Sequence, residues 1–157
     1  MKNIITFILI ITITSCNNQN SEEIVYRNLS EINEYSEYKD YSGALIDNDY
    51  SVGSYSKEEE DNSRLIILKK IHRHNDVVNF SIVDKLLIEN IPDNHYIGFG
   101  DCRINGKVDR EIIVLYEYED TEYYTKIKKA WRADRSSKKI IKISTENIDC
   151  TNDGWGV

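Results

Sequence analysis

Long hydrophobic runs are missing from this sequence. The longest apolar stretch, Ile4 to Ile13, covers ten residues, about half of the roughly 20 that a membrane-spanning helix requires, which argues against a permanent transmembrane helix. Positive charge is also in deficit. There are 20 Lys and Arg against 27 Asp and Glu, a formal net charge of −7; such a chain repels a phosphate backbone, so nucleic acid is not an expected partner. Alanine and proline are scarce, three and one beside 24 Ile. That is the amino-acid choice of an AT-rich genome, and the abundance of Ile, Asn, Lys and Tyr is discounted accordingly. No internal repeat of fixed period is present, and no heptad pattern is long enough for a coiled coil.

What is there begins with an address. Lys2 precedes the apolar stretch, and small Thr14 and Ser15 precede Cys16, the pattern of an export signal spanning residues 1–15. The segment Ile13-Thr14-Ser15-Cys16 resembles the lipobox of bacterial lipoproteins, with Ile where Leu is commoner and Ser in the small position. The resemblance covers residues 1–16. It implies that the Cys16 thiol is diacylated with palmitate-like chains, that the peptide is cut before it, and that the new amino terminus is acylated too. Several chains hold a protein stably where one binds only marginally. The implied location is the bacterial cell envelope, anchored to a membrane on its extracytoplasmic side.

Cleavage leaves 142 residues, enough for one domain with a real core, and a net charge near −8 once Lys2 is gone. Lipidation of Cys16 leaves Cys102 and Cys150 in a compartment that permits disulfides, and the two are expected to pair. Residues 16–21 are the lipidated cysteine and a small polar tether.

Two compositional zones follow, a Tyr- and acid-rich segment at 22–63 and a β core at 64–157. Between Glu22 and Tyr38, the residues Val25, Leu29, Ile32 and Tyr35 fall on one stripe of a helix, although the polar content also fits an extended arm. Lys39 to Ser63 carries glycines, Asp47-Asn48-Asp49 and a charge run, which predicts a loop holding at most one strand. Thereafter Ile-, Val-, Tyr- and Phe-rich runs predict strands at Arg64–Ile71, Asn79–Ile88, Tyr96–Ile104, Glu111–Tyr118, Glu122–Ala133 and Lys139–Ser144. Asn105-Gly106 predicts a two-residue hairpin, because both positions tolerate the positive φ such a turn needs. A helix competes over Glu122–Ala133, but the Asp134-Arg135-Ser136-Ser137 turn favours a second hairpin. The expected fold is mainly β, a small antiparallel meander in the form of a sheet, a sandwich or a partly open barrel, with one optional N-terminal helix. Cys150 would staple the tail to the Tyr96–Ile104 strand.

Candidate chemistry is thin. His72 and His74 sit two apart on a predicted strand and would face one side, with Asp76 or His95 as a third metal ligand. Exposed polar residues near a strand end account for them better, and neither a metal nor another cofactor is expected. Asp47, Asp49, Ser51 and Glu58 match positions one, three, five and twelve of a calcium loop, but Val52 stands where the sharp turn demands Gly. Gly98-Phe99-Gly100 meets Arg103 where a dinucleotide fingerprint needs a third small residue. No Ser lies in a Gly-x-Ser-x-Gly elbow. Glu117 with Glu119, and Asp120 with Glu122, read as solvated strand and turn carboxylates. Tyr26, Tyr35, Tyr38, Tyr41, Tyr50 and Tyr55 either build an aromatic surface for a protein or glycan partner or fill the core. The leading expectation is a non-catalytic binding domain on a lipid anchor. An immunity or inhibitor lipoprotein and a hydrolase with a dispersed site are the alternatives.

Overall fold

The computed structural model describes residues 24–58 and 62–156; the signal segment, Cys16 and the tether lie outside the described residues. The architecture is mainly β, and every pairing of strands among the described residues is antiparallel. The first sheet contains β1 (Val25–Tyr26), β2 (Tyr38–Leu45), β3 (Tyr50–Lys57), β4 (Arg64–His74) and β5 (Val77–Ile88), in the order β1-β5-β4-β3-β2. The second contains β6 (His95–Phe99), β9 (Ile112–Glu117), β11 (Ile127–Asp134) and β12 (Lys139–Ile143), in the order β12-β11-β9-β6. The third contains β7 (Cys102–Ile104), β8 (Lys107–Val108), β10 (Tyr123–Tyr124) and β13 (Ile148–Thr151), in the order β10-β13-β7-β8. No helix among the described residues is long and apolar enough to cross a membrane.

The sheets stack because two strands are apolar on both faces. In β4, Leu65, Ile66, Ile67 and Leu68 are all buried, as are Ile112, Ile113, Val114 and Leu115 in β9. A strand buried on both sides reads as a continuous apolar run rather than an alternating one. Ile66 and Leu68 meet Ile113, Leu115, Trp131 and Ala133 between the first and second sheets. Ile112, Val114 and Ala130 face Cys102, Tyr124, Ile148 and Cys150 of the third sheet. On the outer face of the first sheet, Leu65, Ile67 and Tyr55 are covered by Tyr26, Leu29 and Tyr35 from the N-terminal segment. Each fully buried Ile or Leu contributes about 1.5–3 kcal/mol of transfer free energy, so these two runs are the largest single source of cohesion.

The turns follow the sequence closely. Asn105 and Gly106 hold φ of 51° and 74° and join β7 to β8, as the dipeptide predicts. Asn75 and Asp76, at φ 44° and 64°, make a like turn between β4 and β5, so both strands run further than predicted. The predicted Tyr96–Ile104 strand is broken at Gly100, φ 96°, where the chain leaves the second sheet for the third. Glu122–Ala133 is extended rather than helical, in two pieces. Lys128 is an extra residue opposite β9, which puts Ile127 and Ala130 on one face and Trp131 on the other.

Two expectations are corrected. The stripe from Val25 to Tyr35 forms β1 and two single 3-10 turns, Leu29–Glu31 and Asn33–Tyr35, instead of an α-helix. Leu29, Ile32 and Tyr35 recur every three residues, which is the period of a 3-10 turn, and the Glu31 carboxylate accepts the Arg27 and Asn28 N–H groups to close the first. The predicted loop at 39–63 is mostly the β2–β3 hairpin. β3 is an inner strand whose buried positions include Ser51, Gly53 and Ser54, so its place in the sheet comes from its neighbours rather than from its own hydrophobicity. The Cys102–Cys150 disulfide is formed, between directly opposed residues of β7 and β13.

Candidate functional site

The two large sheets are sealed along one side and open along the other. On the sealed side, Val83 is an extra residue in β5, and the next residue, Asp84, accepts the Ile140 N–H of β12 at 2.8 Å and pairs with Lys139 at 3.4 Å. On the open side, β2 and β6 are the edges of their respective sheets. A cleft of about 590 Å³ lies there, within the 300–1,000 Å³ usual for ligand pockets. Its walls are Tyr41 and Ser42 of β2, Asn62 and Arg64, the 91–94 loop, His95, Tyr96 and Ile97 of β6, and Tyr116 of β9.

Local geometry fixes these groups. Tyr41 is the extra residue of a bulge in β2, which turns its ring outward, 60% exposed, with the Arg64 guanidinium 4.3 Å above it. The loop before β6 is pinned at both ends: Ile91 N–H donates to Asn62 O at 2.8 Å and Tyr118 N–H to Asn94 O at 2.9 Å. Asn90 and Asn94 take positive φ within it, a conformation asparagine tolerates. Gly98 lets the Tyr116 ring lie against β6, since a Cβ there would stand 3.2 Å from both that ring and Val114.

From the cleft the aromatic surface continues outward. Tyr96 lies 6.0 Å from Tyr116 and 6.2 Å from Tyr118, and Tyr116 stacks on Tyr124 at 4.1 Å. Burial pushes the Tyr116 phenol well above its ordinary range and raises Tyr124 too, so these hydroxyls stay neutral donors and acceptors. His95 Nδ1 donates to the Asp93 carbonyl at 3.0 Å, which leaves Nε2 outside that bond.

The residues singled out from the sequence are scattered. His72 shares a hydrogen bond with Ser81 across β4 and β5, His74 bonds Asn75, and His95 is in the second sheet. Asp76 sits in the turn after His74. No three His, Cys, Asp or Glu side chains converge on a metal position among the described residues. The calcium-loop spacing is spread along a hairpin. Asp47 accepts the N–H groups of Asp49 and Tyr50 at the β2–β3 turn, Ser51 is buried, and Glu58 pairs with Lys39 beyond the other end of β3. Glu117 pairs with Lys128 at 2.8 Å; Glu119 accepts the Thr125 and Lys126 N–H groups, and both carboxyls lie below their ordinary range for those reasons. Gly98-Phe99-Gly100 is the end of β6 and its turn.

Of the six first-half tyrosines, Tyr26, Tyr35 and Tyr55 are core, Tyr38 and Tyr50 are half-buried, and only Tyr41 faces the cleft. The exposed rings instead are Tyr96 and Tyr118, with half-buried Tyr116 beside Tyr96. Their signal was the pair Tyr116 and Tyr118, two apart on a predicted strand and so on one face. A further polar group is half-buried beside Tyr55 and Phe80 on the first sheet. Lys69 donates to the Tyr55 hydroxyl at 3.0 Å and lies 4.7 Å from the Phe80 ring, and burial lowers its pKa while Asp40 opposes the shift. Comparison with family models, with characterised proteins and with solved structures returns no match.

Proposed function

We propose that this chain is a binding module of the bacterial envelope, held to a membrane through lipid on Cys16, whose recognition surface is the cleft between β2 and β6. The observation that carries this reading is the open seam itself: preformed walls, exposed rings and polar heads on pinned elements. The Cys102–Cys150 bridge supports the address, because such bonds persist in oxidising compartments.

The test uses a Cys16→Ala chain, which escapes lipidation and collects in the soluble fraction. Mixed with envelope fragments stripped of lipid by detergent, it is expected to cosediment with them, and a Tyr41→Ala, Tyr96→Ala double variant of it is expected to stay in the supernatant. Equal sedimentation of both chains would put binding elsewhere on the surface, and no sedimentation of either would remove the reading.

A second reading, hydrolysis, draws on one observation. His95 presents Nε2, the ring nitrogen not bonded to the Asp93 carbonyl, in a cleft that also holds Ser42 and Asp93. Loss of any measured hydrolysis in Ser42→Ala, with sedimentation intact, would favour it.

A further inference from the structure

The lining of the cleft selects among ligands. We propose that it takes a short stretch of glycan, neutral or carrying one acidic group; this rests on reading the chain as a binding module. Half of the lining residues are polar, and three of the rest are tyrosines. Tyr41 and Tyr96 are 60% and 46% exposed, with Arg64, Asn62, Asn94 and His95 around them. A phenol face packs against the C–H side of a sugar ring, while amides and a guanidinium bond its hydroxyls and any carboxylate. Lipid tails and other wholly apolar ligands do not match the polar half of this lining.

Length and charge narrow the choice. Tyr118, 45% exposed and 6.2 Å from Tyr96, extends the ring surface beyond the cleft, enough for more than one sugar unit. The chain's net negative charge disfavours a polyanion, and a single acid group is the most that Arg64, whose guanidinium already donates to Ser63 O at 2.7 Å and lies over Tyr41, would share.

An extended peptide adding to the β2 edge is the competing occupant. The bulge at Tyr41 interrupts the regular ladder where such a strand would pair, and Lys39 and Asp40 charge the same exposed edge. Both features discourage strand addition.

The experiment titrates the full chain with three probes: a tetramer of N-acetylglucosamine, the same tetramer ending in a single galacturonic acid, and an extended octapeptide. Calorimetry and the Tyr ring resonances report binding. Saturable binding of at least one oligosaccharide is expected, with shifts at Tyr41 and Tyr96. Tyr96→Ala and Tyr41→Ala should each weaken it about tenfold, while Trp155→Ala, which removes an exposed ring outside the cleft, leaves it unchanged. Because both cleft rings are solvent-facing, the variants keep the fold, and an unaltered melting temperature verifies it. Failure of both oligosaccharides to bind at millimolar concentration overturns the proposal, as do cleft shifts produced by the octapeptide alone. In those two cases, cosedimentation with envelope fragments still separates a wrong ligand class from a wrong function.

Discussion

Single residues set the limits on pH and packing. Tyr26 and Tyr55, 4% and 2% exposed, hold their phenols well above the ordinary value because burial disfavours the phenolate, and Tyr116 does the same. Above about pH 10 the unfolded chain releases protons that these three retain in the fold. Their stabilisation is therefore complete below about pH 10 and is lost as pH rises beyond it. Lys69, lowered by burial, acts in the opposite sense over a window ending near its ordinary value of about 10.4, one group against three. The urea midpoint should fall between pH 9 and 11, with the buried tyrosines ionising only as the fold is lost, which tyrosinate absorbance reads directly. A midpoint unchanged over that interval would contradict the burial argument. Gly98 gives a second expectation at this scale. Gly98→Val should cost about 1–3 kcal/mol through overpacking and displace the Tyr116 ring, seen as a lower melting temperature and a moved ring resonance.

At the scale of elements, the seam between β5 and β12 depends on one carboxylate. Asp84→Ala leaves the Ile140 N–H without its acceptor, so a loss of about 1–2 kcal/mol is expected, with faster hydrogen exchange at Ile140 and no change at Val114. The inner strands β4 and β9 were legible because Leu65–Leu68 and Ile112–Leu115 are apolar whatever face is counted, and Asn105-Gly106 marks its turn without help from the rest of the chain; β13 was not, since Ile148 and Cys150 alternate with polar neighbours and make no apolar run. β3 was not legible. Its Ser51, Gly53 and Ser54 carry no strand signal, and their burial follows from lying between β2 and β4. The stripe at Val25–Tyr35 was seen but given the wrong period, since spacings of three and four differ by a single residue over a turn. The cleft shares the fate of β3. Tyr41, Arg64 and Tyr96 come from three strands in two sheets, and nothing local in the sequence says that two edges will face one another.

The whole molecule is a stack of three sheets in which the thinnest, outermost sheet carries the cross-link. β7 and β13 are three and four residues long and sit 48 residues apart at their bridged cysteines. Closing a loop of that length stabilises by about 4 kcal/mol in the chain-entropy model, a large share of the 5–15 kcal/mol typical of a domain. A Cys102→Ala, Cys150→Ala variant should therefore melt far earlier, with the third sheet exchanging first. The proposed export would take the chain to a compartment where this bridge persists. The most direct test of that account is the intact mass of the chain recovered from the membrane fraction of the cells that make it, before and after reduction. Loss of residues 1–15, added acyl mass on Cys16 and two further protons on reduction are the expected result. An unprocessed chain in the soluble fraction, with no mass change on reduction, would contradict it.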